Sequence, residues 1–279
     1  MAGRAGYARG WLAVEHAGPW GREAVVEALS GALRDADLDG IRVVLIRRRA
    51  GRAPTEGPRT AFLAWSAGRA PWVRQVSISG LDELTGLVPS IAEREPDVGS
   101  VPHAPVVLVC THGKRDACCA EFGRPVHRAV RGRTDADVWE CTHIGGDRYA
   151  ANMVILPEGL YFSRLTPATA DAPIDAYLRG RLELSTYRGR SSRTMAEQAA
   201  EHAARVATGA DSLQAVEIIR SEETAEAATV TLRCDGELFH AELQEAPVLD
   251  GGVFHECGHL DRPDTWESWT SARLEPLPA

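Results

Sequence analysis

The apolar runs of this chain come in one order twice, and that repetition narrows what it can fold into. In the first pass, WLAVEH (11–16) reads as a short strand and GPWG as a turn. Val25, Val26, Leu29 and Leu33 recur at helical spacing and predict a helix over 23–38. RVVLIRR (42–48) is rich in β-branched residues, as a strand covered on both faces would be. A loop with Gly51, Pro54, Gly57 and Pro58 follows. AFLAWS (61–66) and WVRQVSIS (72–79) predict two more strands, and 81–94 predicts a helix that Pro89 should kink or split. The second pass opens with VVLVC (106–110), then a helix over 118–132, then the strand DVWECTH. NMVILP and LYFSRL form a strand pair around the turn Pro157-Glu158-Gly159, and 171–181 predicts a helix. Both passes read β-α-β-β-β-α.

Between them, EPDVGSVPHAP has three prolines, a glycine and acidic residues, the chemistry of a linker. After Gly189 the character changes. An Ala-rich helix (196–209) leads into three strands, the last two joined by Asp235-Gly236, a tight-hairpin signal. The tail carries HECGH (255–259) and shows no strong pattern. The expected division is a first unit over 1–97, a second over 104–190, and a C-terminal helix and hairpin appendage over 191–279 packed on the second unit. A chain of 279 residues can hold this much.

The second unit carries the chemistry. Four of the six cysteines, with His112 and His143, fall within 34 positions. Thiolates and imidazoles gathered at loop ends suit a transition metal or an iron–sulfur cluster. Cys110 sits where a strand gives way to a loop. Cys118 and Cys119 open a helix, where the macrodipole favours a thiolate. They lie about 100° apart around the helix, so one of them should face a bound group. His143 precedes Gly145-Gly146, glycines that let the backbone approach a bulky cofactor. Asp116 is expected to cap the helix.

The net charge of −8 argues against a nucleic-acid surface or an anionic membrane and suits docking on a basic partner. No apolar run approaches the about 20 residues of a membrane-spanning helix. The N-terminus shows no signal-peptide pattern, so a cytoplasmic protein is expected, its cysteines free thiols or ligands. Lys114 is the only lysine, a bias that points to a GC-rich, bacterial genome.

CTHGKRDACCAEFG, HIGGDRYAANMVILPEGLYFSR, WLAVEHAGPWGREA, YRGRS and AEQAAEHA together resemble the sucrase/ferredoxin-like family. That family includes thioredoxin-like ferredoxins of yeast in which two Cys and two His hold a [2Fe-2S] cluster. The repeated element order is that of a thioredoxin-like unit, so the expected fold is α/β: tandem thioredoxin-like units with a mixed sheet, plus a small α+β appendage. The resemblance implies Cys110 and Cys119 as ligands through the family's Cys-x8-Cys, and His143 through its His-x3-His. The second His of that motif is Asp147 here. Asp147 is therefore the candidate fourth ligand, with Cys257 and then Cys118 as alternatives, followed by Cys141 and His112. The implied function is an electron carrier between a reductase and an acceptor. A thiol–disulfide enzyme and a zinc-stabilised binding protein are the competing readings. Neither Cys-x-x-Cys nor paired zinc knuckles are present, however. No carboxylate pair stands out for glycoside hydrolysis, so sucrase activity is not expected. No Gly-rich nucleotide loop is present either, so neither NAD nor FAD is expected to bind.

Overall fold

The computed structural model of the chain describes residues 3–48, 57–248 and 266–277. The first pass forms β1 (Gly10–Glu15), α1 (Ala24–Leu29), β2 (Ile41–Arg47), β3 (Arg59–Trp65) and β4 (Trp72–Ile78). A broken helical stretch over 81–90 follows, with α2 (Leu84–Leu87) between two 3-10 turns. The second of those turns contains Pro89, the residue expected to split this helix. The helix predicted over 23–38 is only six residues long. Ser30, Gly31 and the aspartates after them are weak helix formers, and the chain continues as turns. Leu29 and Leu33 are buried all the same.

The second pass forms β5 (Val106–Cys110), α3 (Ala117–Val130), β6 (Asp137–Cys141), β7 (Met153–Leu156), β8 (Leu160–Phe162) and α4 (Asp171–Leu178). In each pass the first two strands pair parallel around a helix, and an antiparallel hairpin adds to the first strand. These are two thioredoxin-like units in tandem. They join edge to edge through equivalent strands, β2 and β6, paired antiparallel at Ile46–Cys141 and Arg47–Glu140. The sheet runs β4-β3-β1-β2-β6-β5-β7-β8, and β9 (Tyr187–Arg190) completes its far edge. YRGR is therefore a strand, which its short length and two arginines concealed.

The last part consists of α5 (Met195–Thr208) and an antiparallel sheet of β10 (Val216–Glu223), β11 (Ala227–Cys234), β12 (Glu237–Val248) and β13 (Trp266–Pro276). Asp235 and Gly236 both have positive φ, as a tight hairpin requires. The tail expected to lack a pattern supplies β13, because pairing with β12 satisfies its backbone. The small alanines Ala196, Ala200 and Ala204 let α5 lie close on Val230 and Leu232. The appendage meets the second unit through Arg190, which donates to Leu213 O, and also reaches the first through an Arg69–Glu217 ion pair.

All five residues of β5 are buried, and alternate ones face two cores. Val106, Leu108 and Cys110 share a core with Trp11, Val44 and Phe62 of the first unit. Cys110 thus stands at the end of a strand fixed on both faces.

Candidate metal centre

Three elements converge on the end of β5. Cys110 closes the strand, and its N–H donates to Asn152 O. α3 brings Cys119 to it. The helix can come that close because residue 123 is glycine: a Cβ there would stand 1.9 Å from Cys110 O. β6 runs parallel to β5 and delivers His143, after Thr142 is locked to Leu45 by two hydrogen bonds. Gly145 and Gly146 then turn the chain with φ of +87° and +75°, and Asp147 begins a 3-10 turn.

Donor atoms of Cys110, Cys119 and His143 all lie within 4.8 Å of one another. Cys119 Sγ is 3.7 Å from His143 Nδ1. Both cysteines are 1% exposed, whereas the His143 side chain is 23% exposed. A second group shares the histidine: donor atoms of Asp116, His143 and Asp147 also lie within 4.8 Å. Asp147 is thus brought to His143 but does not join both thiols in one group of four.

Asp116 differs from its expected role. It occupies the N-cap position of α3 with extended backbone, but its side chain makes no cap hydrogen bond. Its Oδ2 lies 3.1 Å from His143 Nδ1 instead. Sequence reasoning missed this, because an aspartate before a helix gives the same signal whether it caps or turns away. Cys118 is half-buried and its Sγ donates to Asp147 O at 3.5 Å. Cys141 is buried in the core beside Cys110. His112 has both ring nitrogens engaged: Nδ1 accepts from His143 N at 3.3 Å, and Nε2 donates to Gly21 O at 2.7 Å. It buttresses His143. Cys257 and its neighbours His255 and His259 lie outside the described residues.

The thiols act as a pair. A hydrogen bond from Cys119 outweighs burial and, with one from His143, pulls the Cys110 thiol well below its usual range. Cys119 is pushed the other way, first by that same bond to Cys110 and then by Cys118 and burial. A second thiolate beside the first is opposed, and a bound cation would relieve that opposition, as in a thiolate metal site. Burial lowers the His143 imidazole, but Cys110, Asp116 and Asp147 more than reverse this and raise it. Two thiols and an imidazole, largely buried, match the donor chemistry of an iron–sulfur or other soft-metal site.

The first unit walls the opening. A cleft of about 160 Å³ beside His143 is lined by Arg22, Glu23 and Val26 of that unit, and by His112, Arg115 and Thr142 of the second. Arg115 pairs with Glu23 across it. Among the described residues, no helix is long and apolar enough to cross a membrane.

Fold and site together define a duplicated thioredoxin-like α/β protein with a buried thiol–imidazole group on its second unit. The chain belongs to the sucrase/ferredoxin-like family, whose model matches residues 3–189. It is similar to Altered inheritance of mitochondria protein 32 of the yeast Meyerozyma guilliermondii, with 28% identity over 95 residues. That match covers 30% of this chain and spans only 34% of the relative's length. Among solved structures it is similar to the thioredoxin-like [2Fe-2S] ferredoxin from Aquifex aeolicus. One structure of that protein matches at 13% identity and a TM-score of 0.29, over 33% of this chain and 96% of the other. A second, of the wild type, matches at 14% identity and a TM-score of 0.28, over 31% and 97%.

Proposed function

We propose that this protein is a one-electron carrier that holds a [2Fe-2S] cluster through Cys110, Cys119, His143 and Asp147. The observation that carries the reading is the convergence of two buried thiols and one imidazole within 4.8 Å, at the ends of β5, α3 and β6. Membership of a ferredoxin-like family supports it. Bound there, the cluster would supply a single-electron couple.

The chain's own groups set the character of that couple. Cys110 and Cys119 supply anionic sulfur and exclude water by their burial. His143 would supply a neutral nitrogen in place of a thiolate, which raises the potential relative to all-cysteine sites. Asp147 returns one negative charge. His143 is the most exposed of the three converging donors and faces the cleft shared by both units, where redox partner proteins, a reductase and an acceptor, would approach. The burial of both cysteines counts against a thiol–disulfide enzyme, because a protein disulfide cannot reach either sulfur.

The test is the freshly purified protein. Iron and acid-labile sulfide in equal amounts, a brown [2Fe-2S] spectrum and a signal in electron paramagnetic resonance on reduction are expected. A colourless protein would overturn the reading, and stoichiometric zinc would support the metal-stabilised alternative.

A further inference from the structure

YRGRS places Arg188 in the middle of β9, and its side chain is 1% exposed. Its Nε donates to Arg4 O at 2.8 Å. Nη1 donates to Asn152 Oδ1 at 2.9 Å, to Ser163 Oγ at 3.2 Å and to Gly145 O at 3.4 Å. Nη2 also reaches Gly145 O. The guanidinium lies over the rings of Tyr161 and Tyr149, 4.8 and 5.5 Å from their centroids. Among the described residues, no carboxylate pairs with it. Burial draws it down to about 10, still charged at neutral pH; Tyr161 and Tyr149 oppose the fall, and Arg42 and Arg148, which carry the same sign, add to it.

A buried cation without an anion is expensive, and such groups are kept where something else uses them. Arg188 lies directly behind the turn that carries His143 and Asp147. A Cβ at Gly146 would stand 2.3 Å from Nη1, so the turn is moulded on the guanidinium. Asn152 extends the clamp: Nδ2 holds Gly146 O at 2.7 Å, and its backbone O accepts from Cys110 N. Tyr161, stacked under the guanidinium, donates to Ile144 O. Arg188 therefore reaches both arms of the centre, the turn after β6 and the end of β5. With a group bound, the centre would carry negative charge, as two thiolates and a carboxylate, on the other side of the turn that Arg188 clamps.

We propose that Arg188 is a positioning residue for this centre, which clamps the 144–147 turn from behind and whose fixed charge favours the reduced state of the bound group. The inference rests on the cluster reading above. It concerns a side chain that touches no ligand atom.

The experiment compares the full-length protein with R188Q and R188K. R188Q keeps an amide for Asn152 and Ser163 but removes the charge. Its ratio of reduced to oxidised protein at a fixed solution potential should fall on the order of tenfold, a shift of about 59 mV for a one-electron couple. R188K keeps the charge and should hold the parent's potential. Full iron content in R188Q with an unmoved potential would overturn the proposal, as would equal shifts in both variants. Should R188Q fold poorly, Asn152→Asp sets a carboxylate against the guanidinium, and an unmoved potential there overturns the proposal equally. Iron content of the unaltered protein reports on the cluster reading alone, so the two failures are distinct.

Discussion

Replacing Gly123 with alanine should loosen the centre without touching a donor. By propensity alone the change favours the helix, since glycine inside a helix costs about 1 kcal/mol relative to alanine. The structure sets a larger opposing effect. The new Cβ would stand 1.9 Å from Cys110 O and 3.1 Å from its carbonyl carbon. Those are backbone atoms of a strand buried on both faces, so no side chain can swing aside. α3 must move out by roughly 1 Å, and overpacking of this kind costs about 1–3 kcal/mol. The net loss is up to about 2 kcal/mol, or up to about 8 °C in Tm for a chain of this size. The same movement draws Cys119 away from Cys110, so iron should be lost faster to a chelator. Gly86→Ala is the control. Gly86 lies in α2 with nothing within 4 Å of its missing Cβ, so alanine should be neutral or slightly stabilising. Thermal unfolding and chelator-driven bleaching check both variants. A Gly123→Ala protein as stable as the parent, bleaching at the same rate, would refute the idea that this glycine sets the distance between helix and strand.

Cys110→Ser and Cys119→Ser should each lose most of the iron, because a hydroxyl is a poor ligand for the cluster, whereas Cys234→Ser should keep it. Cys234 is buried in the C-terminal sheet, away from the centre, and equal loss in all three would point to general instability. His143→Cys should keep a cluster at a lower potential, since a thiolate adds negative charge; an unchanged potential in a titration would place His143 outside the ligand set. Asp147→Ala should lose or labilise the cluster and Asp116→Ala retain it; iron analysis showing the reverse would give the fourth position to Asp116. Glu201 lies buried between Arg193 and Arg205, and although burial opposes ionisation the arginines pull its carboxyl to about 2. Its folded pKa lies below the ordinary 4.5, so its stabilisation is complete above that pH and is lost as pH falls from there toward 2. Glu201→Gln should cost about 3–5 kcal/mol at neutral pH by leaving two buried cations unpaired, with the gap to the parent closing in acid. Denaturant melts at both pH values measure this.

The strands were readable because burial writes itself into composition: VVLVC and RVVLIRR have to be covered on both faces, and β5 and the end of β2 are. The tandem thioredoxin-like order followed from those runs, and so did the hairpin at Asp235-Gly236, where both residues need positive φ. Cys110, Cys119 and His143 were legible as candidates because donor residues of this kind cluster at loop ends. Local signals failed where a partner distant in sequence decides. β9 holds two arginines and a glycine in four residues, and β13 had no pattern of its own; each is a strand because a neighbour satisfies its backbone. The helix after Glu23 ended early because apolar spacing does not outweigh weak helix formers. Side-chain direction lay further out of reach. Asp116 sits where a cap belongs, yet its carboxylate turns to a histidine 27 positions along the chain. Arg188 becomes a buried clamp only once β9 is laid beside β8, behind the Gly145-Gly146 turn. The sequence by itself determined which residues could bind. The tertiary structure decided which of them meet, because distance and burial are set by how the sheet is assembled and are not carried by any residue alone.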